Sequence, residues 1–239
     1  IVASEHWESV RSHISRDGQI FDLAKADTTY QSLRLSLLGQ HQVANATVVV
    51  ATLDLLREQG VTWDEAALRE GFSDVIWPAR VEVLQKNPIV IADGAHTYAS
   101  ATALIDTINE IMPKGWSCSY LILGFSSNKD ISSLLNVFAH FADVIILTRA
   151  EHPRAADPLK LAAHPAFSTR QAPIVIPKVA DAMQLAQAQA GSNDLIIATG
   201  SLFVAAEARA SMGRDNLLSK EKPWTLDQFF KLISSKISK

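Results

Sequence analysis

The chain has almost no cysteine: Cys118 is its one thiol among 239 residues. No disulfide can therefore form within the chain, which suits a reducing compartment such as the cytoplasm. Neither of the metal-binding spacings C-x-x-C and H-E-x-x-H occurs in the sequence, so no zinc site of either type is expected. These absences predict a cytoplasmic protein that carries no metal site within this chain.

An excess of basic charge and long apolar runs are also missing. The chain holds 22 Lys and Arg against 25 Asp and Glu, a formal net charge of −3, so no nucleic-acid partner is expected. Its longest apolar stretches are interrupted by Asp54 or by glycines, so none is expected to span a membrane. Neither G-x-x-x-x-G-K-[ST] nor G-x-G-x-x-G occurs. This absence excludes a self-sufficient P-loop NTPase and a dinucleotide-binding domain of the common kind.

Five short apolar runs follow residue 77, in a chain that is 48% hydrophobic. The runs are continuous rather than alternating, which is typical of strands buried on both faces. Helical patterns lie between most of them, so the sequence predicts an α/β fold with a Rossmann-like, mostly parallel sheet flanked by helices. A further strand over 80–84 is expected to form an antiparallel hairpin with the first run. The five runs span residues 88–92, 120–125, 143–148, 173–177 and 194–199.

The segments on either side of this region differ from it. Residues 1–76 are expected to hold two alternating strands and a helix from about residue 41 to Gly60. A capping box of Thr62 and Glu65 is expected to begin a short helix that ends at Gly71. Residues 216–239 carry an apolar stripe at helical spacing, which predicts an amphipathic C-terminal helix. The expected domains are therefore 1–76, 77–215 and 216–239.

Polar and charged residues follow four of the five predicted strands. In an open parallel sheet, ligands bind beyond the carboxyl ends of the strands, so these residues should meet at one edge. Each has an ordinary structural explanation by itself, such as a turn, a helix cap or a surface ion pair. Together they favour a binding site. The segments are DGAH (93–96), SSNKD (126–130), HPRA (152–155) and TGS (199–201).

Six motifs in a fixed order resemble one family. They are LLGQHQVANA (37–46), WPARVEVL (77–84), DGAH (93–96), SSNKD (126–130), HPRA (152–155) and TGSL (199–202). The chain resembles the C-terminal half of a folylpolyglutamate synthase/dihydrofolate synthase of the Mur ligase superfamily. The motifs span residues 37–202, and their joint order is more specific than any one of them.

The resemblance implies an activity and a missing partner domain. Such ligases use ATP and Mg²⁺ to join L-glutamate to a folate or dihydropteroate carboxylate through an acyl phosphate. Residues 1–76 would be the end of the central ATPase domain, and 77–215 the C-terminal ligase domain. The phosphate loop and the magnesium ligands would belong to an N-terminal P-loop ATPase domain that this chain lacks. The chain alone is therefore expected to be inactive.

The resemblance also implies roles for residues that bind the nucleotide. Asn45 of HQVANA would contact the adenine base or its vicinity, because its amide both donates and accepts. Arg80 of WPAR would reach the phosphates, and Asp93 of DGAH would accept hydrogen bonds from the ribose hydroxyls. If so, replacing Arg80 or Asp93 by alanine should weaken ATP binding and leave the melting temperature nearly unchanged.

Other residues would serve glutamate and catalysis. His96 is the predicted catalytic residue, placed near the glutamate or the γ-phosphate, and Ser201 would help to bind glutamate. His152 and Arg154 of HPRA are further predicted substrate-binding residues. The sequence departs from the usual family pattern at Thr97, Tyr98 and Asn128. Two other functions fit the sequence: a non-catalytic nucleotide- or partner-binding α/β domain, and a fragment of a Mur-type peptidoglycan ligase.

Overall fold

The computed structural model of the chain describes residues 7–127, 130–168 and 172–214. It separates two compact units, with the boundary between Ile76 and Trp77. The predicted amphipathic helix over 216–239 lies outside the described residues. Among the residues that are described, no helix combines the length and the apolarity required to cross a bilayer.

The first unit, up to Ile76, packs two helices with a small antiparallel sheet. Its strands are β1 (Glu8–Ser15), β2 (Gly18–Lys25) and β3 (Thr28–Leu35), in the order β1-β2-β3, and its first helix is α1 (Gln40–Glu58). The core includes Phe21, Leu33 and Val43. Strand β1 has no counterpart in the sequence prediction. It is an edge strand of mostly polar residues, and its Val10 is 64% exposed, so it gives little hydrophobic signal.

Helix α2 (Glu65–Asp74) corrects two expectations. Its N-cap is Asp64 and not Thr62: the Asp64 carboxylate accepts a hydrogen bond from the Ala67 N–H at 2.7 Å. The helix also continues through Gly71. A glycine inside a helix costs about 1 kcal/mol relative to alanine, but continuing the helix buries Phe72 in the core of this unit. Burial of that ring, at about 1.5–3 kcal/mol, is large enough to offset the glycine.

The second unit, from Trp77 onwards, contains the predicted parallel sheet. Its six strands have the order β4-β5-β9-β6-β7-β8. Strands β5 to β9 run parallel to one another, and β4 is antiparallel to β5 at one edge. The α/β class and the mostly parallel sheet are thus confirmed. The strands are β4 (Glu82–Lys86), β5 (Ile89–Ala92), β6 (Ser119–Leu123), β7 (Val144–Arg149), β8 (Ile174–Lys178) and β9 (Leu195–Thr199).

Strand β4 begins two residues later than predicted. Val81 has a φ of 46°, a left-handed conformation that is far from regular β geometry and that a β-branched residue rarely adopts. Residues 79–81 therefore form a turn that precedes the strand, and Glu82 is the first residue that pairs with β5, opposite Ala92.

Helices cover both faces of this sheet. Right-handed crossovers place the helices of the β5-to-β8 connections on one face and α6, which returns from β8 to β9, on the other. In agreement, α3 packs against α4, and α7 packs against α6. The helices are α3 (Tyr98–Ile111), α4 (Ile131–Phe141), α5 (Pro158–Ala162), α6 (Val179–Gln189) and α7 (Leu202–Ser211).

The connections that follow two neighbouring parallel strands of this sheet leave towards opposite faces. Strand β5 leads into α3 on one face, whereas its neighbour β9 leads into α7 on the opposite face. Connections that diverge in this way define a topological switch point at the carboxyl ends of the strands. Ligands of open α/β sheets bind at such a switch point.

Candidate functional site at the carboxyl edge of the parallel sheet

Asp93 is the first residue after β5, and its carboxylate holds two turns together. Its Oδ1 accepts a hydrogen bond from the Ala95 N–H at 2.7 Å, and its Oδ2 accepts one from the Val81 N–H at 2.8 Å. The residue is only 7% exposed. A carboxylate can accept further hydrogen bonds, but Asp93 already has a structural role at both of its oxygens.

Burial changes the protonation of this carboxyl group. Desolvation raises the pKa of Asp93 from 3.8 to about 6. The hydrogen bonds from Val81 and Ala95 and the electrostatic effects of Arg80 and His96 oppose this rise. Arg80 therefore lies close enough to act electrostatically on Asp93, as the antiparallel pairing of β4 with β5 requires.

Arg80 lies at the tip of the turn that precedes β4. The residues on either side of it, Ala79 and Val81, both have positive φ angles, 54° and 46°. The Gly94 N–H donates to the Ala79 carbonyl at 2.9 Å and joins this turn to the turn after β5. The guanidinium of Arg80 is exposed and lies 5.6 Å from the ring centroid of Trp77, which is within cation–π range. An exposed cation on a fixed turn is available to bind an anion.

His96 is half-buried in the turn that leads into α3. Its Nδ1 lies 2.7 Å from the Gly94 carbonyl oxygen. Because a carbonyl only accepts hydrogen bonds, Nδ1 must carry the proton, and in the neutral ring Nε2 is then the acceptor. Thr97 caps α3 through a reciprocal pair of hydrogen bonds with Ser100. His96 is therefore held in one orientation beside a helix N-terminus, where backbone N–H groups favour anions.

Ser201 begins α7 at the end of the neighbouring strand β9. Its Oγ accepts a hydrogen bond from the Val204 N–H at 3.1 Å, and its hydroxyl hydrogen can still be donated. Gly200, which precedes it, has a φ of 95°, and a Cβ at this position would lie 2.6 Å from the Gly124 carbonyl oxygen. Only glycine allows the ends of β9 and β6 to approach this closely.

The last residue of β9, Thr199, has a buried hydroxyl. Its Oγ1 has no hydrogen-bond partner among the described residues. Leaving a buried hydroxyl unpaired is unfavourable, so Thr199→Val should stabilise the protein by about 1 kcal/mol. Urea denaturation measures this change.

Thr148→Val is the matched control for this substitution. Thr148 is equally buried on β7, but its Oγ1 donates to the Pro177 carbonyl at 3.1 Å. Its loss should therefore lower the free energy of unfolding. A lower stability for both variants would contradict the assignment of Thr199 as unpaired.

The HPRA segment follows β7 and is tied to the start of α7. The His152 ring stacks on Phe203, with the centroids 3.9 Å apart and an interplanar angle of 19°. The Glu151 N–H donates to Glu207 Oε1 at 2.7 Å, and burial raises the pKa of the Glu207 carboxyl group. Arg154 is exposed, and its backbone N–H donates to His152 Nδ1 at 3.2 Å. The contact with Phe203 therefore brings the HPRA segment to the helix that Ser201 caps.

The carboxyl edge of the second unit thus contains six of the seven predicted site residues: Arg80, Asp93, His96, His152, Arg154 and Ser201. Asn45 lies in the first unit, exposed on α1, where its Nδ2 donates to Gln42 Oε1 at 3.1 Å. Over the ranges that the structure describes, no group of three or more His, Cys, Asp or Glu side chains could hold a metal ion.

Some residues at this edge were not predicted from the sequence. Glu82 and Arg209 form a largely buried ion pair behind the Arg80 turn, and the Phe203 ring stacks on the His152 ring. Charged residues on a strand and on a helix give no separate signal when their partner is 127 positions away along the chain. Phe203 could have been suspected, because it follows the TGSL motif directly.

Comparisons with known proteins show which family this chain is similar to. A family model described as "Mur ligase, glutamate ligase domain" matches residues 79–202, about half of the chain. The chain is 29% identical over 222 residues to the dihydrofolate synthase/folylpolyglutamate synthase of Mycobacterium tuberculosis, which covers 86% of this chain and 45% of that protein. A folylpolyglutamate synthase structure from the same organism, complexed with ADP and AMPPCP, matches with a TM-score of 0.77 and 28% identity, over 88% of this chain and 48% of that one.

A shorter stretch of the chain matches a synthetase of a different name. The chain is 29% identical over 126 residues to a UDP-N-acetylmuramyl-tripeptide synthetase of Bifidobacterium longum, which covers 52% of this chain and 23% of that protein. The chain therefore spans less than half the length of each of these relatives.

Proposed function

Because this chain belongs to the Mur ligase family through its glutamate ligase domain, we propose that it is part of an ATP-dependent ligase that joins L-glutamate to a folate or dihydropteroate carboxylate. The observation that carries the proposal is the meeting of Arg80, Asp93 and His96 on two linked turns at the switch point of the sheet. The M. tuberculosis relative was solved with ADP and AMPPCP, which supports a nucleotide as one ligand.

The side chains at this edge fit an anionic nucleotide. Arg80 presents an exposed guanidinium, which suits phosphate oxygens, and Asp93 has remaining acceptor capacity for ribose hydroxyls. His96 lies at the start of α3 with Nε2 as its second ring nitrogen. Asn45 of the first unit stays a predicted nucleotide-binding residue. Mg²⁺ would be held mainly by an N-terminal P-loop ATPase domain, because the described residues offer no cluster of ligands.

The other end of the site suits an amino acid with two carboxylates. Arg154 provides a positive charge, Ser201 a hydroxyl hydrogen, and His152 a ring held by Phe203. In the reaction, a carboxylate oxygen attacks the γ-phosphorus of ATP and displaces ADP. The glutamate amine then attacks the acyl carbon, the C–N bond forms, phosphate leaves and the amine loses a proton. His96 is proposed to act where the amine and the γ-phosphate meet.

The match to the tripeptide synthetase favours a second candidate, a peptidoglycan amino-acid ligase. It covers 52% of the chain, compared with 86% for the folate relative, so the folate reading has the broader support. A non-catalytic nucleotide- or partner-binding domain is the third candidate. Sequencing the DNA upstream of the Ile1 codon distinguishes the first two from the third: a P-loop in frame supports a ligase, and an upstream stop codon without one contradicts it.

The isolated chain is expected to release no phosphate above background from ATP in the presence of L-glutamate and dihydropteroate. The reason is that its sequence contains neither G-x-x-x-x-G-K-[ST] nor G-x-G-x-x-G. A malachite-green assay measures the release, with the complete M. tuberculosis relative as the positive control. Glutamate-dependent phosphate release by the pure chain would overturn this expectation.

A further inference from the structure

The turn that carries Arg80 has an unfavourable backbone conformation. Ala79 and Val81 both lie in the left-handed region, with φ angles of 54° and 46°. This region is uncommon for any residue with a Cβ and is a genuine outlier for a β-branched one. Such conformations cost about 1–3 kcal/mol each and persist only where the surroundings impose them. The contacts that hold this turn therefore determine where Arg80 points.

Three hydrogen bonds fix the turn. The Val81 N–H donates to Asp93 and the Gly94 N–H donates to the Ala79 carbonyl. These two bonds join the Arg80 turn to the turn after β5. The third comes from the first residue of β4: the Ala79 N–H donates to Glu82 Oε2 at 2.8 Å. Glu82 is thus the anchor on the β4 side.

Glu82 is itself held by a residue of the last described helix. The same Oε2 accepts a hydrogen bond from Arg209 Nε at 2.5 Å, and the Arg209 side chain is 9% exposed. Charge-assisted bonds of this kind are stronger than neutral ones. Removing one partner of a buried pair leaves an uncompensated charge, which is strongly unfavourable. The element most ready to rearrange here is the strained turn.

We propose that Glu82 and Arg209 are positioning residues, which hold the turn of residues 79–81 in the conformation that presents Arg80 to the phosphates of the nucleotide. This inference rests on the proposed function for the identity of the ligand. It assigns to α7 a second role, because the helix that Ser201 begins at the sheet edge fixes the Arg80 turn through Arg209 near its other end.

The test combines amide exchange with nucleotide binding in the full chain. In Arg209→Met, the Ala79 and Val81 amides should exchange about tenfold faster or more, while Ile197 on the central strand β9 reports global opening. The dissociation constant for ADP, followed by NMR titration, should rise about tenfold. Arg209→Lys should restore much of both properties, because lysine keeps the charge.

Two further variants keep the result interpretable. Arg214→Met removes another arginine near the end of α7, which donates to the Leu84 carbonyl of β4 but not to Glu82, so it should leave both readouts unchanged. Glu82→Gln keeps an acceptor for the Ala79 N–H without the charge and should give an intermediate effect on both readouts. This variant tests the proposal if Arg209→Met does not fold. If the Ala79 and Val81 amides exchange faster only to the same extent as the Ile197 amide, the positioning role is overturned. A wild-type chain that fails to bind ADP would instead count against the proposed function, and the exchange data would still decide the role of the pair.

Discussion

Replacing Asp93 by alanine is expected to lower the free energy of unfolding by at least about 2 kcal/mol, because the Val81 and Ala95 N–H groups would lose their acceptors, at about 1–3 kcal/mol each. Relief of the buried charge offsets part of this loss. The same substitution should weaken ADP binding, since the turn that carries Arg80 loses one of its three hydrogen bonds. Urea denaturation and ADP titration measure the two effects.

Asp194→Ala is the matched control at the opposite edge of the sheet. Asp194 is 8% exposed, and its two oxygens likewise accept backbone hydrogen bonds, from the Cys118 and Gly191 N–H groups. Its replacement should lower stability to a similar extent and leave ADP binding unchanged. If the two variants weaken ADP binding equally, the effect of Asp93 is global and not local to the site.

The dependence of the Asp93 contribution on pH has a definite sign. The folded-state pKa, about 6, is higher than the unfolded value of 3.8, so between these values the folded state binds more protons. Stability contributed by Asp93 is therefore fully present below about pH 4 and decreases as the pH rises towards 6. The difference in unfolding free energy between the wild type and Asp93→Ala should be larger at pH 4 than at pH 7. A difference that grows with pH would contradict the raised pKa.

Replacing Arg80 by alanine is expected to weaken ADP binding about tenfold to hundredfold, which corresponds to about 1.5–3 kcal/mol for one charge-assisted contact. The melting temperature should change little, because the guanidinium is exposed. Lys114→Ala removes an exposed positive charge from the turn that precedes β6, at the other edge of the sheet, and controls for net charge. Equal affinity loss in both variants, or none in Arg80→Ala, would contradict phosphate binding by Arg80.

The features that the sequence predicted correctly are those with a local signal. The strands of the parallel sheet are buried on both faces, so each is a continuous apolar run that can be recognised without its neighbours. The meeting of the DGAH, HPRA and TGS segments followed from one rule of α/β sheets. The antiparallel pairing of β4 with β5 followed from the short connection between them.

The features that the sequence missed depend on distant partners. The ligand-binding role of Asp93 stays a prediction. The sequence did not reveal that its oxygens also accept hydrogen bonds from two backbone N–H groups, one of them on the far side of the β4–β5 hairpin. These bonds are the reason to expect that its loss lowers stability. The positive φ of Val81 has no sequence signature, because valine is the residue least expected there. Thr62 and Asp64 are both good helix caps, and only the backbone geometry selects Asp64.

The two contacts of α7 also limit how this segment of the chain can change in length. Ser201 at its N-cap and Arg209 in its last turn are eight residues apart, a separation of about 12 Å along a continuous helix. Each residue inserted into or deleted from the helix turns everything beyond it by about 100°, which would swing Arg209 away from Glu82 while leaving the cap intact. Substitutions on its outer face keep this phasing, but a single-codon insertion or deletion does not. The outer face of the segment between Ser201 and Arg209 is therefore open to changes of side chain, whereas the segment as a whole is closed to changes of length.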